Sequence, residues 1–520
     1  MLQKTLKVKA REKKIMNLNP KKLIPPQTIK EEDFKSRSCR LIKNFFQKDF
    51  CSSPLNELSL LLKKEAGKSK VLKLRDHQNA LEKTSLSLGK EVNILAIEAL
   101  KNSPKPKEKV LIAIKKLILE KILDLFCLYS SYLPYHNFLH SVKVANDASL
   151  LAKNITWEIN NLKFPLSSLE YLKGIFHDIR FYYKLRYKRE AGTNLKTNSE
   201  GLSFQQFSED LRRLELWIQE NCSFTFRFTT KFIEEVKHSI FFTVPSILLK
   251  PFSVHNFGHF DSESSPEEFQ EKTKVFLGKD REEFLGACFE KEVELLSEDP
   301  ERIKSFYQKL PQILVAFVDV SSSITEPTKW VEEEIETLFI EEYSKAFNFI
   351  YQFHQKNESF PLATKRDKEI YQRHFESYKS WISFQLSFSQ SRIATAYLRF
   401  YIPLIASIKY LKNLSSPSLT KSFQEESLKR FETLESNFRT LFCLEPSHGK
   451  FPTINDKAYE SVRLKSLELN LPESSLNKTP WRTFKRLINL YHQRTGANFI
   501  ASEKEFDGFM NLCSHLRSFP

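Results

Sequence analysis

Apolar side chains recur at i, i+3 and i+4 through most of this chain, and that one periodicity constrains its fold more than any other feature. Residues spaced this way share a single stripe of an α-helix, because 3.6 residues complete a turn. The pattern runs through 55–64, 91–102, 107–131, 138–155, 166–179, 203–220 and 229–242, then through 281–308, 329–356, 366–412, 420–442 and 479–496. No set of segments alternates apolar and polar residues as half-buried strands do. The expectation is an all-α, multi-helix bundle with an additional helical C-terminal region.

With 520 residues, 41% of them hydrophobic and 45 of them Phe, the chain has apolar material for one large or two ordinary cores. The longest apolar run, Val110 to Leu133, is interrupted by Lys115, Lys116, Glu120, Lys121 and Asp124 at helical spacing, so no membrane span is expected. Punctuation suggests a division. Residues 1–40 carry Pro20, Pro25 and Pro26 among lysines and read as a basic flexible arm, and 41–105 as an N-terminal helical region ended by Pro104 and Pro106. Residues 106–345 hold the polar motifs described below. The region 346–520 has no chemical cluster of this kind, and either completes the first core or forms a helical domain of its own. Pro245, Pro251, Gly258 and the stretch "SESSP" mark 243–268 as a loop or insertion.

The formal net charge is +16, and residues 1–45 hold 13 Lys and Arg against 4 Asp and Glu, so nine units of the excess sit in that one segment. A basic arm of this kind binds nucleic acid or an anionic surface, or serves only as a solvated tail. Seven widely spaced cysteines, none in a CxxC pair, argue against a disulfide framework or a zinc ribbon and fit a reducing, cytoplasmic setting. No apolar stretch near the N-terminus is followed by a small-residue cleavage site, so no signal peptide is expected, whether Met1 or Met16 is the start.

Two short stretches resemble each other: Tyr135-His136-Asn137-Phe138-Leu139-His140 and His255-Asn256-Phe257-Gly258-His259. The second lies in the Pro/Gly/Ser loop, leads into no apolar helix and reads as a chance double. The first leads straight into a helical pattern. Thirty-seven residues beyond His140 an apolar run ends in His177-Asp178, and much later Asp319 and Ser321 close the apolar run Ile313 to Val318. A carboxylate buried without a partner costs several kcal/mol, so Asp319 calls for a cation or a metal. Histidine and aspartate together suit a borderline or hard divalent ion. Taken singly, each has a plainer reading: a hydrogen-bonded core histidine, an aspartate capping a turn, an aspartate paired with a core arginine.

In their joint order these motifs resemble the HD superfamily of metal-dependent phosphohydrolases, and within it the 3′,5′-cyclic-nucleotide phosphodiesterases. The resemblance covers roughly residues 106–345. It implies a phosphodiesterase-like helical catalytic bundle with two divalent ions (Zn, Mg or Mn), the first held by His140, His177, Asp178 and Asp319, with Asp178 also reaching the second. It further implies that a hydroxide between the ions attacks phosphorus, that His136 protonates the leaving 3′ oxygen, and that Asn137 orients that histidine or the adjacent backbone. Tyr135 opens the motif and is expected at the substrate. A Gln-x-x-Phe pair that clamps a purine in the family finds two counterparts, Gln372/Phe375 and Gln385/Phe388. The second lies in the more apolar surroundings and is preferred, with core packing as the alternative.

The sequence departs from the family where Phe181 stands in place of a second histidine, and where the basic insert "YYKLRYKREAGTN" separates the HD pair from Gly192 and Asn194. Lys184, Arg186, Lys188 and Arg189 in that insert attract a phosphate or merely face solvent. The function expected is hydrolysis of a 3′,5′-cyclic nucleotide to its 5′-monophosphate. The alternatives are an HD phosphohydrolase acting on another nucleotide or phosphomonoester, and an idle scaffold that binds a partner through its basic arm.

Overall fold

A computed structural model of the chain describes residues 31–68, 74–127, 134–178, 199–241, 243, 291, 293–319, 321, 325–357, 364–396, 400–413, 421–442 and 479–495. Within them, α1 (Glu31–Gln47), α2 (Ser53–Lys68), α3 (Leu74–Lys101), α4 (Pro106–Cys127) and α5 (Phe138–Leu151) precede a hairpin of β1 (Thr156–Ile159) and β2 (Leu162–Pro165). Then follow α6 (Leu166–Phe176), α7 (Ser199–Asn221), α8 (Thr230–Phe241) and α9 (Pro300–Asp319). A short helical turn and a π-helix (Trp330–Glu334) lead into α10 (Ile335–Glu342), α11 (Ser344–Lys356), α12 (Lys365–Ala396), α13 (Ile402–Asn413), α14 (Lys421–Leu441) and α15 (Thr479–Thr495). The all-α expectation holds apart from one hairpin.

That hairpin was not expected. Trp157 and Ile159 point inward between the exposed Thr156 and Glu158, and Asn160 and Asn161 adopt positive φ of 53° and 60° in a two-residue turn. Asparagine tolerates this left-handed geometry, which matches the twist of the strands. A four-residue alternation is simply too short to stand out among long helical patterns.

The arm expected over 1–40 is corrected at its end. α1 begins at Glu31, inside the expected arm; Asp33 in its first turn brings negative charge suited to the helix N-terminus, and Phe34 and Ser38 are buried in line with Leu41, Ile42 and Phe45. Residues 1–30 lie outside the described residues, as do most of 243–268, the double at 255–259, the stretch 281–290 of the expected 281–308 helix, and the insert from Phe181 to Asn194.

α4 shows why the longest apolar run does not need a lipid. It is buried along nearly its whole length, and its lysines find partners inside the protein. Lys115 donates to the carbonyls of Phe45 and Lys48, so a cation closes the C-terminal end of α1. Lys116 pairs with Glu120 and lies over the Trp217 ring, while Lys121 pairs with Asp124 and Asp210. No helix among the described residues is long and apolar enough to cross a membrane.

Two hydrophobic cores result. The first gathers α1 to α9 with α13 and α14, and the second gathers α10, α11, α12 and α15 with Tyr135 and Trp330. The C-terminal region is divided between the two cores, α11, α12 and α15 sharing the second with α10, Tyr135 and Trp330. α13 and α14 return to the first core, where Asn437 donates to the carbonyls of Leu151 and Lys153 at the end of α5. The closest helix contact in the first core is between α5 and α6. A Cβ on Gly174 would stand 2.4 Å from the Ala145 Cα, so only glycine permits this approach.

Candidate metal centre

The close contact of α5 and α6 decides where the histidines fall. Asn137 caps α5: its Oδ1 accepts from the Leu139 and His140 backbone N–H groups, and its Nδ2 donates to the Pro134 carbonyl. His140 therefore starts the helix in a fixed orientation. α6 is buried at every residue, and its C-terminal neighbour His177 is completely buried, with Nδ1 donating to the Gly174 carbonyl at 2.6 Å. That bond leaves Nε2 as the nitrogen facing the cluster. Asp319 ends α9 directly after the buried run Ile313–Val318, and Ser321 closes the helix end by donating to the Val318 carbonyl.

These elements bring one ligand atom from each of His140, His177, Asp178 and Asp319 to within 4.8 Å of one another. His177 Nε2 lies 3.0 Å from Asp178 Oδ2 and 3.4 Å from Asp319 Oδ1, and His140 Nε2 lies 3.2 Å from Asp319 Oδ1 and 3.5 Å from Asp178 Oδ2. Despite these distances neither Nε2 makes an aligned hydrogen bond to a described residue. Two buried nitrogens and two carboxylates thus converge on one another. Burial alone would push both imidazoles down, but Asp178 and Asp319 reverse the sign and hold them above the ordinary histidine range. Burial would likewise raise both carboxyls, and His177 and His140 hold them well below. The donor set, two nitrogens and two oxygens with no thiolate, suits a borderline or hard divalent ion, so this cluster could hold a metal ion.

His136 stands beside the cluster and not in it. Its ring is 5.6 Å from that of His140, centre to centre, and its Nδ1 donates to Glu341 Oε2 at 2.6 Å. The other oxygen of Glu341 accepts from the backbone N–H groups of Tyr135 and His136 at 2.6 and 2.9 Å. One carboxylate from α10, in the second core, therefore holds the backbone and the ring of the motif. Glu341 was not foreseen, although it gave the same signal as Asp319: a carboxylate within the apolar stretch "LFIEE".

The remaining expected residues divide. The Asn137 side chain is committed to the backbone at the start of α5, in line with the orienting role expected for it. Tyr135 is largely buried, its ring 4.6 Å from His140 and 6.5 Å from Trp330, so it walls the centre and joins the two cores. Gln385 is buried on α12, which packs against α10. The side chain of Phe388 lies outside the described residues. No protein-family model, curated protein or solved structure matches this chain.

Proposed function

We propose that this chain is a divalent-metal-dependent phosphohydrolase of the HD type that opens 3′,5′-cyclic nucleotides to 5′-monophosphates. The observation that carries this reading is the convergence of His140, His177, Asp178 and Asp319 with His136 next to them but held off by Glu341. A bound divalent ion supplies Lewis acidity and brings water towards ionisation at neutral pH. The chain's own part is positional and protonic. The Gly174 carbonyl fixes the face that His177 presents, and the Asn137 cap fixes that of His140. Glu341 accepts a hydrogen bond from His136 Nδ1 and so fixes the ring, and Nε2 hands a proton to the departing oxygen. A second reading, hydrolysis of a phosphomonoester by the same ligands, is favoured by Phe181 where the cyclic-nucleotide family carries another histidine.

The test is turnover of cyclic AMP, cyclic GMP and p-nitrophenyl phosphate by the purified chain with manganese, magnesium or zinc, beside a chelator-treated control. His136→Ala and Glu341→Gln should lower turnover, the former by about 10²- to 10⁴-fold, with metal content unchanged. Turnover of p-nitrophenyl phosphate alone selects the second reading. Bound metal with turnover of none of the three overturns both, and loss of metal in His136→Ala overturns the role of His136.

A further inference from the structure

Two helices of the second core, α11 and α15, carry no carboxylate at all. α15 holds Arg482, Lys485, Arg486 and Arg494, and α11 ends in Lys356. A solvated helix ordinarily intersperses charges of both signs, as α14 does with four Lys and Arg against four Glu. The neighbouring stretch of α12, residues 365–373, adds four Lys and Arg against two Asp and Glu.

The two helices are locked together. Phe347 of α11 meets Tyr491 of α15, and the rings of His354 and Trp481 stack at 3.7 Å and 20°. His354 Nε2 and the Tyr371 hydroxyl of α12 are hydrogen-bonded at 2.5 Å, so the end of α11 and the start of α15 keep fixed positions. Lys485 lies close enough to add to the effect of burial in pushing the His354 imidazole down to about 4. Two of the α15 cations are spent on the protein, Arg486 on Glu336 and Arg494 on Glu333. Lys356, Arg482 and Lys485 are exposed and make no ion pair among the described residues. Arg482, Lys485, Asn489 and Gln493 follow one exposed stripe of α15 about 16 Å long, and Gln352 and Gln355 are exposed on α11.

Unpaired cations interleaved with amides suit a polyanion that offers phosphates and hydrogen-bonding edges together. No large apolar side chain of α11 or α15 is exposed among the described residues, so this surface has nothing to seat in a bilayer. We propose that the surface formed by α15 and the end of α11 binds nucleic acid, with Lys356, Arg482 and Lys485 on its phosphates and the exposed amides beside them. Contacts of this kind are to the backbone, so binding is insensitive to base sequence and weakens steeply with salt.

Fluorescence anisotropy of labelled single-stranded RNA, and separately of labelled duplex DNA, titrated with the full chain in chelator at rising salt tests this. The double variant Arg482→Glu with Lys485→Glu alters two exposed side chains and should unfold thermally as the wild type does. It should weaken binding by about tenfold or more and lower the salt slope by about two. Lys107→Glu with Lys153→Glu makes the same change of net charge at two exposed lysines of the first-core helices and their ends, and should leave affinity within about twofold. Equal weakening by the two double variants, or wild-type affinity in the first, overturns the proposal. Wild-type protein that takes up neither nucleic acid overturns it too, and one that instead sediments with phosphatidylserine vesicles assigns the surface to lipid. Binding in chelator is independent of whether the metal centre hydrolyses anything.

Discussion

α6 carries one buried polar cluster in its middle and another at its C-terminal end, and the two meet the same electrostatic problem differently. In the middle, Lys173 donates to Glu170 at 2.7 Å and to the Pro311 carbonyl at 2.6 Å, with Glu235 of α8 close enough to interact. Two carboxylates face one ammonium, and the second oxygens of Glu170 and Glu235 have no hydrogen-bond partner among the described residues. The shortfall is met by a proton: burial, reinforced by Glu235 and opposed by Lys173, pushes the Glu170 carboxyl up to about 7. At the end of α6, two imidazoles and two carboxylates aim their free atoms at one point instead. Burial of charge is common to both clusters. In the middle the charges pair around one ammonium, whereas at the end of α6 four ligand atoms lie within 4.8 Å of one another and could hold a metal ion.

The comparison breaks most visibly at Lys173. Lys173→Met leaves two buried carboxylates without their cation and should destabilise the fold by about 3–5 kcal/mol in urea denaturation. A loss under about 1 kcal/mol would mean that the middle cluster is not an obligate ion pair. At the other end, Asp178→Asn should lower affinity for zinc or manganese by more than the roughly 10- to 100-fold expected of an outer-shell change, with little effect on the apo-protein's folding. An unchanged metal titration would remove the distinction altogether.

The protonation difference can be read from pH. A carboxyl whose folded pKa is raised from 4.5 to about 7 contributes stability that is complete below pH 4.5 and lost as pH rises to about 7. Wild-type stability should therefore fall relative to Glu170→Gln across that window, by up to roughly 3 kcal/mol. Parallel pH profiles for the two proteins would show that Glu170 holds no extra proton. The smallest effect is expected at the contact that positions both clusters. Gly174→Ala forces a methyl against the Ala145 backbone and should cost about 1–3 kcal/mol by thermal or urea denaturation, while weakening metal binding although every ligand is intact. Full metal affinity in that variant would show that the α5–α6 spacing does not set the centre.

Much of this was legible in the sequence. Helical periodicity predicted the helices, because an apolar stripe repeats every 3.6 residues wherever a helix lies against a core. The four clustered residues were legible too, because His140, His177, Asp178 and Asp319 each sit beside or at the end of an apolar run. The role of Glu341 was not, because it lies 205 residues from the histidine it holds.

The chain by itself determined its secondary structure and the kinds of ligand atom it offers, since both follow from local spacing and side-chain chemistry. Only the tertiary structure decided that α13 and α14 return to the first core, that Gly174 lets α5 and α6 close on each other, and that a carboxylate of the second core grips Tyr135 and His136. Those outcomes depend on contacts between distant segments, where shape and the direction of hydrogen bonds select the partner and sequence spacing carries no record of it.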